Sequence, residues 1–544
     1  MSNTSGPVGD TATIGTGAAW DVAPEGDSMY AARHAATHPD QPAVVMATSG
    51  EVVTYRQFEE RANRIAHALR GQGLVRGDHI AVLSENNSWT LAVEAAAERT
   101  GLYYTLINSY LGAEEVAYIV DNCRARTFFS TVVKAEVARD AAGQCPEVER
   151  FVMIGLDQAD GTWEPLDAVV ASMPATPVAD EQLGAAMLYS SGTTGRPKGI
   201  LRPLPEAVPS DPLPVMEFVR QVFGLREGMT YLNPAPLYHS APQASVSAAI
   251  RLGSTVVVME HFDPEQWLQC VERFRVTNCQ MVPTMFSRLL RLPDEVRSRY
   301  DVSSLECIVH AAAPCPVPVK QAMIEWLGPI ITEYYGATEA NGFTFCNSEE
   351  WMAHPGTVGR AVLGEIVIRD EHGAECPPGV DGTVWFRGAT NFEYFEDPAK
   401  TAENRDEDGN LSTVGDIGHV DDGGWLYLTD RKSYMIISGG VNIYPQETEN
   451  LLSTHPAVAD VAVIGVPNED MGEEVKAVVQ LAAGHQAGPE MERQLIGFCR
   501  EHLAHFKCPR TVDFVDELPR LPTGKLYKRL LRERYWEGHR SRIA

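Results

Sequence analysis

A chain of 544 residues with 44% apolar residues is long enough for one large domain plus a smaller one, with an ordinary globular composition. Its formal charge of −28 opposes long-range attraction to nucleic acid or anionic lipid. No apolar run approaches the roughly 18 residues of a membrane span, so no transmembrane segment is expected. Ten scattered cysteines without a C-x-x-C pair argue against zinc or redox motifs and fit reduced thiols in the cytoplasm.

The first cation is Arg33, so the opening stretch reads as a disordered tail, residues 1–26, rather than a targeting peptide. Residues 54–73 then predict a helix: Thr54 and Gln57 have capping-box spacing, and Phe58, Ala62, Ile65, Ala66 and Leu69 form one apolar stripe. "DHIAVLS", "YYTLIN" and "ARTFFST" read as strands, with helices between them at "SWTLAVEAAAERTG" and "GAEEVAYIVDNC". The rhythm returns after 229, from "MTYLN" through "STVVVM", "TNCQMVP" and "LECIVHA" to "IITEYYG", again with intervening helices. Apolar strands alternating with helices imply two doubly wound α/β subdomains, each with its own parallel sheet. The five prolines of 203–214 demand an irregular connection. From 364 to 428 short strands and turns indicate a β-rich subdomain, and a small α+β unit follows Arg431. The basic tail 525–534 reads as a solvated face, with contact to the phosphates of a ligand as the alternative. The expected division is therefore 27–430 and 431–544.

The stretch "YSSGTTGRPKG" (189–199) concentrates glycines, hydroxyls and two cations. A Gly/Ser/Thr cluster is commonly a linker. Here it follows the apolar strand "AAMLY", as a phosphate loop requires. It is not a Walker A motif, because Pro197 precedes Lys198 and Gly199 follows it, which argues against a helix starting there. What remains is a different phosphate cradle, made of backbone amides, the hydroxyls of Ser190, Ser191, Thr193 and Thr194, and the Lys198 charge.

Three distant stretches supply complementary chemistry. "YYGATE" (334–339) places Tyr335, Gly336, Thr338 and Glu339 at a strand end, where open α/β sheets bind ligands. Tyr335 suits stacking on a purine, Thr338 a phosphate, and Glu339 Mg²⁺, which takes hard oxygen ligands together with phosphates. "TVGDIGHVDDGGWLYLTDR" (413–431) offers Asp416 for ribose hydroxyls, and Arg431. "LPTGKLYKR" places Lys525 in a loop near the C-terminus.

With "PLYHSAP" (236–242) and "SGGVNIYPQETE" (438–449), these six stretches in this order resemble the adenylate-forming superfamily of acyl-CoA synthetases, adenylation domains and luciferases. The resemblance spans about residues 27 to 535. It implies a large N-terminal domain and a small C-terminal domain that rotates between two half-reactions, with ATP, Mg²⁺ and CoA as cofactors and co-substrates. It implies that the 190–198 loop, including Gly192 and Gly195, holds the β- and γ-phosphates. Thr338 would hold the α-phosphate, Glu339 the metal, Asp416 and Arg431 the ribose, and Tyr335 would face adenine. Lys525 would bridge the carboxylate and the α-phosphate, and the 438–442 segment, with Gly439 and Gly440, would flank a pantetheine tunnel. His239 would stand where acyl pocket and tunnel meet; a satisfied histidine at a helix start is the plain alternative. Ser433 departs from the Asp or Lys common at the family's hinge.

Amino-acid-activating members of the superfamily this chain resembles place an Asp near the start of the 239–247 region to pair the substrate ammonium; "HSAPQASVS" contains no acid, so amino acids are disfavoured. Ala241, Ala244, Ser247, Ala248 and "HAAAP" (310–314) are small, which suits a roomy pocket for a medium or long-chain, aryl or polycyclic acid, or else simple helix packing. The expected function is an ATP-dependent carboxylate–CoA ligase releasing AMP and pyrophosphate. A stand-alone enzyme loading a carrier-protein phosphopantetheine and a luciferase-like oxygenase share these motifs, and an inactive binding protein would not need them intact. Oligomeric state is not readable.

Overall fold

The computed structural model describes residues 29–190, 197–388, 392–431, 434–438, 441–468, 470–520 and 526–537. The expected tail 1–26 lies outside them. The first long helix, Tyr55–Gly71, starts as its sequence requires. Thr54 Oγ1 accepts from the Gln57 amide at 3.3 Å, and Gln57 Oε1 accepts from the Thr54 amide at 2.9 Å. Its apolar stripe is buried, and it packs along the helix Ser88–Arg99.

Two large sheets carry the chain, as the alternation implies. One has six parallel strands in the order Trp163–Pro165, Arg150–Ile154, Ala125–Thr131, His79–Leu83, Tyr103–Ile107 and Ala185–Ala186. The other has nine. Its parallel part runs Ile331–Gly336, Cys307–His310, Asn278–Met281, Thr230–Asn233, Thr255–Val258 and Pro42–Met46. Antiparallel strands finish both edges. The strand Pro42–Met46 follows the short helix Ala31–Thr37, and "PAVVM" pairs in parallel with Thr255–Val258, so an early segment of the sequence joins the second sheet.

The expected strand "AAMLY" is divided. Ala185–Ala186 extends the six-stranded sheet, while Leu188–Ser190 pairs antiparallel with Lys198–Leu201 in a separate three-stranded sheet. The 191–196 connection therefore joins two antiparallel strands, and no helix starts at Lys198. The proline-rich segment contains no helix or strand between 202 and 213.

The β-rich part is an antiparallel sheet of Glu365–Arg369, Gly382–Arg387, Asp416–Val420 and Leu426–Arg431, with Leu411–Ser412 beside Gly382–Arg387. Residues 436–515 form another sheet around the long hairpin Val458–Asn468 and Gly472–Leu481. The helices Pro445–Leu452 and Pro489–His502 cover it over a core that includes Val463, Val475 and Leu495. The expectation of a solvated basic tail is corrected here. The helix Lys528–Trp536 packs on the other face through Leu531; Lys528 is buried and pairs with Glu449 at 2.7 Å, and Arg532 bonds Glu473 at 3.1 Å. A buried carboxylate, Glu449 of the helix Pro445–Leu452, makes the cation a docking contact rather than a solubilising one.

Candidate active site

The parallel strands of the nine-stranded sheet end on one edge, and the residues that follow them build a common site. Strand alternation separates two neighbouring tyrosines on Ile331–Gly336. Tyr334 is buried, stacked on Phe343 at 4.6 Å, and its hydroxyl accepts from Gln280 at 3.1 Å. Tyr335 points to the other face, against Phe386 of the β-rich sheet, and donates to Asp416 Oδ2 at 2.7 Å. Residues 81 apart in sequence, singled out for adenine and ribose, are thus in contact. In the antiparallel pairing, Asp416 stands opposite Arg431 in the backbone. Gly336 also has a packing reason: a Cβ there would lie 2.8 Å from the Phe343 ring.

Thr338 and Glu339 follow directly. Arg202, on the segment leaving Lys198–Leu201, donates to the Thr338 carbonyl. Burial lowers the pKa of this guanidinium, with Glu339 opposing the shift. Glu339 is buried, and its Oε1 accepts from the Tyr394 hydroxyl at 2.7 Å. Tyr394 stands opposite Ile200 in the three-stranded sheet, and Asn404 donates to its hydroxyl at 3.5 Å. Lys198 pairs with Asp397 at 2.6 Å. The other Asp397 oxygen caps the helix Pro398–Glu403 by accepting from the Lys400 amide at 2.9 Å. The Lys198 hydrogen bond holds the Asp397 carboxyl below its ordinary range.

Two alanines add backbone strain at this edge. Ala312, after Cys307–His310, and Ala340, after Ile331–Gly336, have φ of 74° and 53°. The left-handed region is unfavourable for residues with a Cβ, and such strain concentrates at functional sites.

His239 is the N-cap of the helix Ser240–Arg251, reached from Thr230–Asn233, and its ring lies 4.3 Å from that of Tyr238. The structure therefore brings together Tyr335, Gly336, Thr338, Glu339 and Asp416, while Lys198 reaches the same region through Arg202 and Tyr394. Ser191, Gly192, Thr193, Thr194, Gly195, Ser433, Gly439, Gly440 and Lys525 lie outside the described residues, as do the side chains of Ser190 and Arg431. The sequence reading missed Arg202, Tyr394, Asp397 and Asn404. Only Asp397 left a signal, an acid immediately before Pro398 at a helix start.

Residues 31–395 match the AMP-binding enzyme family and residues 447–525 match the AMP-binding enzyme C-terminal domain. The chain belongs to the AMP-binding enzymes of the adenylate-forming superfamily. The fatty acid–acyl-carrier-protein ligase ScoC of Streptomyces coeruleorubidus is 31% identical, over 92% of this chain and 95% of that one. A CoA ligase of Rhodococcus jostii (strain RHA1), named for a methyl-dioxo-octahydroindenyl propanoyl group, is 33% identical over 88% and 93%. Among solved structures, the anthranilate CoA ligase AuaEII in complex with anthranoyl-AMP superposes with a TM-score of 0.80 at 27% identity, over 93% of this chain and 96% of that one. The enzyme class is that of AMP-forming acid–thiol ligases, with ATP and CoA as co-substrates. Among the described residues no helix is long and apolar enough to cross a membrane.

Proposed function

We propose that this enzyme adenylates an apolar carboxylic acid, medium or long-chain, aryl or polycyclic, and passes the acyl group to CoA. The observation that carries the reading is the hydrogen bond between Tyr335 and Asp416 beside Thr338 and Glu339, which assembles base, ribose, phosphate and metal chemistry at one sheet edge. A carboxylate is a poor electrophile, so its oxygen attacks the α-phosphate of ATP, giving an acyl-adenylate and expelling pyrophosphate. Charge gathers on the phosphates, and preorganised donors lower that barrier.

In this reading Ser190, Ser191, Gly192, Thr193, Thr194, Gly195 and Lys198 cradle the β- and γ-phosphates. Lys198 exchanges its Asp397 partner for phosphate oxygens. Thr338 donates to the α-phosphate, Tyr335 and Gly336 flank adenine, and Asp416 with Arg431 holds the ribose. Glu339 offers a buried hard oxygen donor oriented by Tyr394, which fits Mg²⁺ bound by one carboxylate plus substrate phosphates. Bound there, Mg²⁺ would neutralise phosphate charge. Lys525 stabilises the charge between carboxylate and α-phosphate. Residues 431–544 then turn relative to 27–430 about the region of Ser433, carrying Lys525 away and bringing Gly439 and Gly440 beside the pantetheine path past His239. Thiolate attack on the acyl carbonyl releases AMP. The absence of an acid on the Ser240–Arg251 helix supports exclusion of amino acids. The compartment in this reading is the cytoplasm.

A carrier-protein thiol is the second acceptor to consider, because a relative of similar identity is named for that reaction. The test is to measure pyrophosphate release from ATP and acid, and thioester formation from preformed acyl-adenylate, for Lys525→Ala and a bulky change at Gly440. Lys525→Ala should slow the first step about 10²–10³-fold and spare the second; the Gly440 variant should do the reverse. Equal slowing of both steps by Lys525→Ala in folded protein refutes the two-conformation scheme. Running the second step with CoA and with a phosphopantetheinylated carrier protein decides the acceptor.

A further inference from the structure

The helix Ser240–Arg251 is mostly buried, but Ser240, Ala244 and Ser247 are only partly so. They share one face with Arg251, since they recur at helical spacing. The stripe begins beside His239 and ends in a cavity of about 30 Å³ between this helix and Ser88–Arg99. Such a space holds about two waters or one polar end group.

The walls of this cavity combine Leu91 and Ile250 with Glu94, Glu98 and Arg251. Its polar groups are incompletely satisfied. Arg251 pairs with Glu98 at 3.3 Å and donates to the Pro209 carbonyl at 2.5 Å, but its Nε has no hydrogen-bond partner among the described residues. Glu94 is 3% exposed; its Oε1 accepts a long 3.4 Å bond from Tyr104, and its Oε2 has no partner among the described residues. Burial and the adjacent Glu98 charge push the Glu94 carboxyl well above its ordinary range, which favours the protonated form that can donate as well as accept. Two side chains that each carry an unmatched buried polar atom, Arg251 and Glu94, thus line one small space. Leaving each unsatisfied is costly, so a ligand group that matches both is favoured.

We propose that this cavity is a specificity subsite for a neutral oxygen function, a hydroxyl or carbonyl, at the far end of the acid substrate. The proposal rests on the ligase reading, which places the reacting carboxylate near His239. From there to Ser247 is about 12 Å along the helix axis, so the acid's body lies on the Ser240–Ala244–Ser247 stripe and its distal oxygen reaches Arg251 and Glu94. A hydroxyl accepts from Arg251 Nε–H and donates to Glu94 Oε2. A carbonyl accepts from Arg251 and from the neutral Glu94 carboxyl. A terminal carboxylate would add an uncompensated buried charge, because Arg251 is already paired with Glu98 and the neighbouring Arg99 with Glu59.

The test compares dodecanoate, its omega-hydroxy derivative and the corresponding dicarboxylate, by kcat/KM for pyrophosphate release, in wild type, Glu94→Leu and Glu94→Gln. Wild type should favour the hydroxy acid over dodecanoate about tenfold or more and use the dicarboxylate least. Glu94→Leu should invert the first preference, and Glu94→Gln, which keeps the hydrogen-bonding groups, should retain most of it. Ser247→Leu, which narrows the path from the opposite wall, should depress all three acids relative to benzoate. If wild type and a folded Glu94→Leu show the same hydroxy-to-plain ratio, the cavity holds only water and the subsite is refuted, while the ligase reading stands. If no acid drives pyrophosphate release, both fall.

Discussion

Tyr394→Phe removes the hydroxyl next to the proposed metal ligand, and with it the bond to Glu339 and the longer one from Asn404. The substitution removes an O–H that donates to Glu339 Oε1 at 2.7 Å and leaves the ring, which is 6% exposed. The edge contact with Phe392, 5.6 Å between centroids, and the backbone pairing with Ile200 should persist, so the fold loses little. A hydrogen bond to a charged acceptor contributes about 1.5–3 kcal/mol. At about 1.4 kcal/mol per decade this is a loss of roughly 10- to 150-fold, in line with the 10- to 100-fold effect typical of groups orienting a metal ligand. The assay is acid-dependent pyrophosphate release titrated with Mg²⁺ at saturating ATP. The variant should need more Mg²⁺ and reach a lower kcat, with a thermal midpoint close to wild type. If Glu339→Gln abolishes activity while Tyr394→Phe leaves the Mg²⁺ titration unchanged, orientation of Glu339 by Tyr394 is refuted.

Other expectations concern the cores. Lys320 and Glu333 are a buried pair at 2.6 Å, with the Trp351 ring 4.7 Å from the ammonium; Lys320→Met should cost about 3–5 kcal/mol in denaturant unfolding, and a loss below about 1 kcal/mol would contradict burial of an uncompensated acid. Burial lowers the His79 pKa to about 4 from 6.5, so its unfolded form takes the proton first. Its contribution is complete above pH 6.5 and is lost as pH falls toward 4, by up to about 3 kcal/mol. Urea melts of His79→Phe across that range should show a flatter acid limb, and an unchanged slope would remove His79 as the cause. Lys528→Met should loosen the Lys528–Trp536 helix from its sheet, seen as faster amide exchange in that helix with Glu449 left unpaired. Unaltered exchange would mean that Leu531 packing alone holds it.

Periodicity exposed most of the fold because each long element meets one core. The Phe58–Leu69 stripe and the strand "HIAVL" are buried as their spacing requires. Pro42–Met46 escaped because its partner, Thr255–Val258, is over 200 residues away, and a short apolar run does not announce its sheet. The break in "AAMLY" escaped for a related reason: two residues joining one sheet and three joining another look like one strand until pairing is known. At the site, motif residues were legible because each carries a chemistry at a fixed place. Tyr394 and Arg202 were not, since an ordinary tyrosine and arginine gain meaning only by facing Glu339 and Thr338 across the fold. The basic tail misled because charge implies solvent unless a buried partner such as Glu449 is known.

Ligation through an adenylate is tested most directly by the fate of the acid's oxygen. With a carboxylate substrate labelled with heavy oxygen, ATP and CoA, one labelled oxygen should appear in AMP for each thioester formed, and none in pyrophosphate. Unlabelled AMP, or ADP and phosphate as products, would contradict attack of the carboxylate on the α-phosphate.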